Sequence, residues 1–159
     1  PDLIISYHSA ANGIYYAALG GEDYRFSRGT FEEHLKPYDL KVLREVEKMT
    51  DLLVLHICKD RLRLEPYADY PGHVVNWAVH DCEVSLEAGR DLFGRAILGG
   101  FDDRSGVLVD GTVMEIQNEA ERIIRGFGKR VLILGADCTL PTDIPLGNIC
   151  AAVEAARSL

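Results

Sequence analysis

The sequence predicts an α/β protein built on a parallel sheet, and three observations carry that prediction. Five short apolar runs recur along the chain, at residues 13–18, 51–57, 74–79, 96–99 and 131–135. The runs are apolar on both sides of the pleat, as strands covered on both faces of a parallel sheet are. Amphipathic stretches separate them, giving the β-α order that parallel neighbours joined by right-handed crossovers require.

Each element has its own local reason. Between the first two runs, residues 31–49 carry Leu35, Leu40, Leu43 and Val46 among charges, the spacing of a one-faced helix, with a break or restart expected at Pro37. Residues 60–71 have no clear period and hold at most a short helix. Residues 82–93 form the next helix, with Gly94 placed as its C-terminal stop. Thr112 is a good N-cap for a helix through Gly126, because Glu115 three residues later completes a capping box. The last helix is expected over residues 148–156.

Composition narrows the function classes. The 159 residues are 47% hydrophobic and 26% charged, with 25 acids against 17 Lys plus Arg and a formal charge of −8. That is ordinary for a globular chain and excludes disorder, collagen-like repeats and a disulfide-stapled miniprotein. Net acidity without a basic cluster argues against nucleic acid, because phosphate neutralisation supplies most of that affinity. The longest apolar stretch, residues 131–136, is far below the roughly 20 residues of a membrane span. Pro1-Asp2-Leu3-Ile4 lacks the basic start of a secretion signal, so reduced thiols in a cytoplasm are expected. The absence of an initiating Met leads us to expect a chain cut from something longer.

Two parallel architectures compete. A doubly wound sheet would carry a G-x-G-x-x-G phosphate loop after one strand, and no run is followed by one. A TIM barrel needs eight units and typically about 250 residues, so five units cannot close one. The expectation is a single domain over residues 1–159 that forms the C-terminal part, about five β-α units, of a TIM barrel.

The chemistry-bearing residues cluster at strand ends. His56 and Cys58 end the second run two residues apart and therefore project to the same face. The C-terminal ends of strands are where barrels and open α/β sheets place their sites. Cys138 holds the equivalent place after the last run. One imidazole and two thiolates suit a tetrahedral zinc with an open fourth position. The alternative is a His bonded to a main-chain carbonyl beside two inert core thiols. Cys82 and Cys150 fall at or within helices and read as packing residues, and His8, His34 and His73 lack metal-ligand spacing to any Cys. His80 and Cys82 straddle a strand-helix junction. Tyr15, Tyr16, Tyr24, Tyr67 and Tyr70 could line a pocket for a flat cofactor or fill the interior.

Several blocks then resemble one family in order. Gly13-Ile14-Tyr15-Tyr16-Ala17 is similar to its "ADGI-aromatic" strand, and Phe31-Glu32-Glu33-His34-Leu35-Lys36-Pro37-Tyr38 to the helix start before its "LHxCG" strand. Leu55-His56-Ile57-Cys58-Lys59-Asp60 resembles that strand end, and Val75-Asn76-Trp77 its "DW" strand. Gly99-Gly100-Phe101-Asp102 stands where it has "GNLDP" or "GGLD", and residues 140–148 resemble its "P-x-(T/D)-P-x-E-N" ending. This is the uroporphyrinogen decarboxylase family of TIM barrels, matched over its C-terminal half.

The resemblance implies one of two chemistries. Decarboxylation of an acidic tetrapyrrole is metal-free in this family and typically uses a late Gly-His-Gly. Here that place reads Gly135-Ala136-Asp137-Cys138-Thr139, and the "DW" Asp is replaced by Asn76. The other branch, similar to methylcobamide:coenzyme M methyltransferase, binds zinc through a His-x-Cys and a later Cys, the pattern of His56, Cys58 and Cys138. It implies zinc-dependent methyl transfer from a methyl-corrinoid on a partner protein to a small thiol. Asp102, Asp103 or Asp137 would then orient His56 by hydrogen bonds, and Gly99, Gly100 and Phe101 would let backbone approach the cofactor. Activity from this chain alone is not expected, since barrel sites draw on several strands. A non-catalytic module is the third reading. Five strands leave two open edges, from which self-association is expected.

Overall fold

The computed structural model describes residues 12–158, and its five strands are β1 Ile14–Ala18, β2 Leu53–Ile57, β3 Val74–Trp77, β4 Ala96–Phe101 and β5 Leu132–Ala136. All neighbours are parallel, and the order across the sheet is β1-β2-β3-β4-β5. A doubly wound sheet reverses direction at a switch point. This one never does, so every crossover steps the same way, as in a barrel. The fold is thus α/β, five consecutive units of a TIM-barrel sheet.

Burial follows position in the sheet. Every residue of β2 and β3 is buried, whereas β1 and β5, the outermost strands among the described residues, are covered only in part. Leu53, Leu55, Ile57, Val75, Trp77 and Ile97 face the helices and join Phe31, Leu43, Tyr67, Tyr70 and Phe93 in the main core. His8 lies outside the described residues.

The helices obey their caps. The break expected near Pro37 within residues 31–49 is present: the stretch forms two helices, α1 Arg28–His34 and α2 Lys36–Glu47, meeting at Leu35. Ser27 caps α1 by accepting from the Thr30 N–H, and Pro37 sits in the first turn of α2, where its missing N–H costs nothing. Within residues 60–71 only a 3₁₀ turn forms, Glu65–Tyr67. The next helix, α3 Leu86–Phe93, begins later than expected because Ser85, not a residue near Cys82, caps it. Gly94 ends it in the left-handed conformation (φ 61°), as anticipated. A short helix not foreseen from sequence, α4 Val107–Asp110, precedes α5 Val113–Phe127, whose Thr112/Glu115 capping box is complete. The chain then enters α6 Leu146–Ser158.

One close approach locks α3 to the sheet. A Cβ on Gly89 would lie 2.0 Å from Trp77 Cη2, so only glycine lets the helix rest on the indole. Trp77 Nε1–H donates to Val84 O at 3.2 Å and is fully buried. Among the described residues, no helix is long and apolar enough to cross a membrane.

Candidate metal centre

Alternation along β2 decides which way its one polar residue points. Leu55 and Ile57 are fully buried against the helices, which sends His56 to the concave face. Its register partner on β3 is Asn76. There His56 Nδ1 and Asn76 Oδ1 stand 2.5 Å apart.

The bonds of Asn76 settle the imidazole tautomer. Its Nδ2 donates to two carbonyl oxygens, Leu98 O at 2.9 Å and Ala136 O at 3.1 Å. Carbonyls only accept, so the nitrogen must face them and Oδ1 must face His56. An amide oxygen also only accepts, so the proton sits on His56 Nδ1. Tyr15 Oη donates to the same Oδ1 at 2.8 Å, and its ring stacks on the imidazole with centroids 5.4 Å apart. His56 Nε2 is left with a free lone pair, the form a metal ligand needs.

Both thiols gather near that lone pair. Cys58 follows β2 directly, and its N–H donates to Ala18 O at 3.0 Å, extending the β1–β2 ladder. Cys138 follows β5, and its Sγ lies 3.4 Å from His56 Nε2 and 3.8 Å from Cys58 Sγ. Strands three places apart in a flat sheet would stand about 14 Å apart. The thiols converge because the sheet curls, which is independent evidence for barrel curvature.

The spacing fits zinc. A tetrahedral ion with Zn–S of about 2.3 Å and Zn–N of about 2.0 Å holds two sulfurs about 3.8 Å apart and sulfur and nitrogen about 3.5 Å apart. The three ligand atoms here lie within 4.8 Å of one another, and among the described residues no other group of His, Cys, Asp and Glu has metal-holding geometry. A sulfur separation of 3.8 Å is far too long for a disulfide, and both thiols are free.

The electrostatics agree. Burial holds His56 below the ordinary imidazole range and hence neutral near pH 7. Burial, and then the neighbouring Cys138, push the Cys58 thiol up. A bare pair of thiolates is therefore disfavoured here, and a dication reverses that balance. Tyr15 is raised to about 12, by burial first and the two cysteines next, so it remains a hydrogen-bond donor.

The carboxylates take other places than the sequence implied. The bond to His56 comes from Asn76, not from Asp102, Asp103 or Asp137. Asp137 is buried and bonds His80 instead, accepting from its main-chain N–H at 2.8 Å and lying 2.9 Å from its Nδ1. Asp102 folds back on its own turn, accepting from the N–H groups of Arg104 and Ser105 and from Ser105 Oγ. Burial raises its carboxyl, but those bonds win and hold it below the usual range. Burial raises Asp103, which lies near Arg104.

Gly99, Gly100 and Phe101 are packed against protein. A Cβ on Gly100 (φ 124°) would come within 3.0 Å of Ile123 on α5, one on Gly99 would touch Leu86, and Phe101 is buried in the core beneath α5 and α6. Of the tyrosines only Tyr15 stands at the centre: Tyr67 and Tyr70 are in the helix-side core, Tyr16 bonds Asp39 and Tyr24 bonds Asp60. Cys82 packs against the core as expected, whereas Cys150 is exposed. His34 is exposed too, and His73 Nδ1 accepts from the Leu53 N–H. Asn76 is the residue the sequence reading missed as a site residue. Its signal was present, a polar amide between Val75 and Trp77 in an otherwise apolar strand.

Comparisons with known proteins bear on the family and the fold. The family model described as Uroporphyrinogen decarboxylase (URO-D) matches residues 21–159. A solved structure of a methyltransferase from Methanosarcina mazei is similar, with a TM-score of 0.75 and 22% identity. The match covers 99% of this chain and 46% of that one, so the chain spans less than half the length of that structure. No curated protein sequence matches.

Proposed function

The chain belongs to the uroporphyrinogen decarboxylase family, and from that membership we propose that it carries the zinc centre of a methyltransferase acting between a methyl-corrinoid on a partner protein and a small thiol. The observation that carries this reading is the meeting of His56 Nε2, Cys58 Sγ and Cys138 Sγ at tetrahedral spacing. The similarity in fold to a methyltransferase supports it, whereas decarboxylation gives these three side chains no role.

The protein's own residues would divide the work. His56 presents a neutral nitrogen, held in that tautomer by Asn76, which Tyr15 and the carbonyls of Leu98 and Ala136 hold in turn. Cys58 and Cys138 would bind as thiolates, their two negative charges balancing a dication. Zinc, when bound, would supply the Lewis acidity that lowers the pKa of a substrate thiol toward neutrality. The protein offers three ligand atoms here, one short of the four that zinc usually takes.

X-ray absorption on the zinc-loaded protein tests the thiol step. Adding a small thiol should raise the sulfur neighbours of zinc from about two to about three. An unchanged spectrum at saturating thiol contradicts the proposal, and turnover of an acidic tetrapyrrole without metal would favour the decarboxylase reading.

A further inference from the structure

We propose that Asp137 and His80 form a clamp that positions Cys138 for the metal, an inference that rests on the zinc reading above. The other two ligands are anchored by bonds of their own. His56 is held by Asn76, and Cys58 by its ladder bond to Ala18. Among the described residues Cys138 has no main-chain ladder bond. Its place depends on the residue before it.

Asp137 is tied down at both ends. Its N–H donates to Phe101 O at 2.9 Å, carrying the β4–β5 ladder one residue past the end of β5. Its carboxylate, 1% exposed, reaches the exit of β3 and there engages His80 twice through Oδ2, at the main-chain N–H and at the ring. The chain between β3 and β5 is thus cross-linked at the position from which Cys138 departs. A buried carboxylate is expensive unless bonded, and its second oxygen, Oδ1, is buried with no protein partner. A side chain so costly to bury, bonded to the exit of β3 one residue before Cys138, points to a positioning role rather than packing. Holding the ligand-bearing turn at 3.4 Å from His56 and 3.8 Å from Cys58 is that role.

Zinc affinity, measured by competition with a chromogenic chelator, and the visible spectrum of the cobalt-substituted protein test the clamp together. Loss of a side chain that supports a metal ligand typically lowers affinity about 10–100-fold, and Asp137→Ala should do so while altering the cobalt bands. Asp137→Asn keeps an acceptor oxygen and should recover much of that loss. His80→Ala keeps the main-chain bond and should lose less than Asp137→Ala. A folded Asp137→Ala protein with wild-type affinity and spectrum overturns the clamp. Should that variant not fold, Asp137→Ser, too short to reach His80, takes its place, and wild-type affinity and spectrum in that protein overturn the clamp equally. Failure of the unaltered protein to bind zinc would instead refute the zinc reading itself, so the two failures are distinguishable.

Discussion

Asn76 Oδ1 lies 2.5 Å from His56 Nδ1 across the β2–β3 register, and this one contact determines which imidazole nitrogen faces the two thiols. Replacing Asn76 by Ala removes that partner and also frees Tyr15. Zinc affinity should fall about 10–100-fold, and stability by about 1–3 kcal/mol from the unpaired buried ring. Chelator competition and urea denaturation measure the two effects, and unchanged affinity would show that Asn76 does not orient the ligand.

Asn76→Asp should be worse than its size suggests. The amide nitrogen now donates to two carbonyl oxygens, and a carboxylate oxygen would face them with no proton to offer. The expected result is a lower urea midpoint at pH 7 than for Asn76→Ala, with part of the loss recovered in acid where the carboxyl is protonated. A midpoint equal to wild type at pH 7 contradicts the assigned amide orientation.

Gly89→Ala tests the fold apart from the site. The added methyl would overlap Trp77, so α3 must shift, at a cost of about 1–3 kcal/mol. The urea midpoint should fall, with zinc affinity of the folded protein unchanged. An unaltered midpoint would refute the close packing of α3 on the sheet.

The strand runs were legible because burial on both faces leaves an apolar signature that depends only on local sequence. His56 and Cys58 were legible for the same kind of reason, a two-residue spacing on a strand. Cys138 could be paired with them only through the equivalence of strand ends. What escaped depends on curvature. His80 and Asp137 are 57 residues apart, and no local pattern says that the exits of β3 and β5 meet. Asn76 was visible as a polar amide in an apolar strand and as a departure from a family pattern, whereas its role follows from the carbonyls around it. The division between α1 and α2 was legible from Pro37, whereas the short α4, which starts at Gly106 with no side-chain cap, leaves no mark in the hydrophobic spacing.

His80 supplies a pH signature. Its bond to Asp137 raises its pKa above the ordinary value, against the opposing effect of partial burial, with Asp102 and Glu119 adding smaller attraction. Because the folded-state value is the higher one, the stabilisation is fully present below about pH 6.5. It is lost as pH rises through the folded-state pKa. The stability gap between wild type and His80→Ala should therefore narrow on going from pH 6 to pH 9. A gap that widens over that range would reverse the sign and contradict the ion pair.

The sheet margins lead to a proposal on assembly. Leu19, directly after β1, is 44% exposed and Ile133 on β5 is 45% exposed, both apolar and both beside or on the outermost strands among the described residues. Unpaired edges and exposed apolar side chains favour association. Sedimentation at tens of micromolar should show a dimer or larger species, weakened by Ile133→Lys, and a clean monomer would refute it.

Whether His56, Cys58 and Cys138 hold zinc is decided by the metal content of protein purified without chelator. About one zinc per chain is expected, lost in each of the folded variants His56→Ala, Cys58→Ala and Cys138→Ala. Metal-free wild-type protein that also fails to take up added zinc would contradict it.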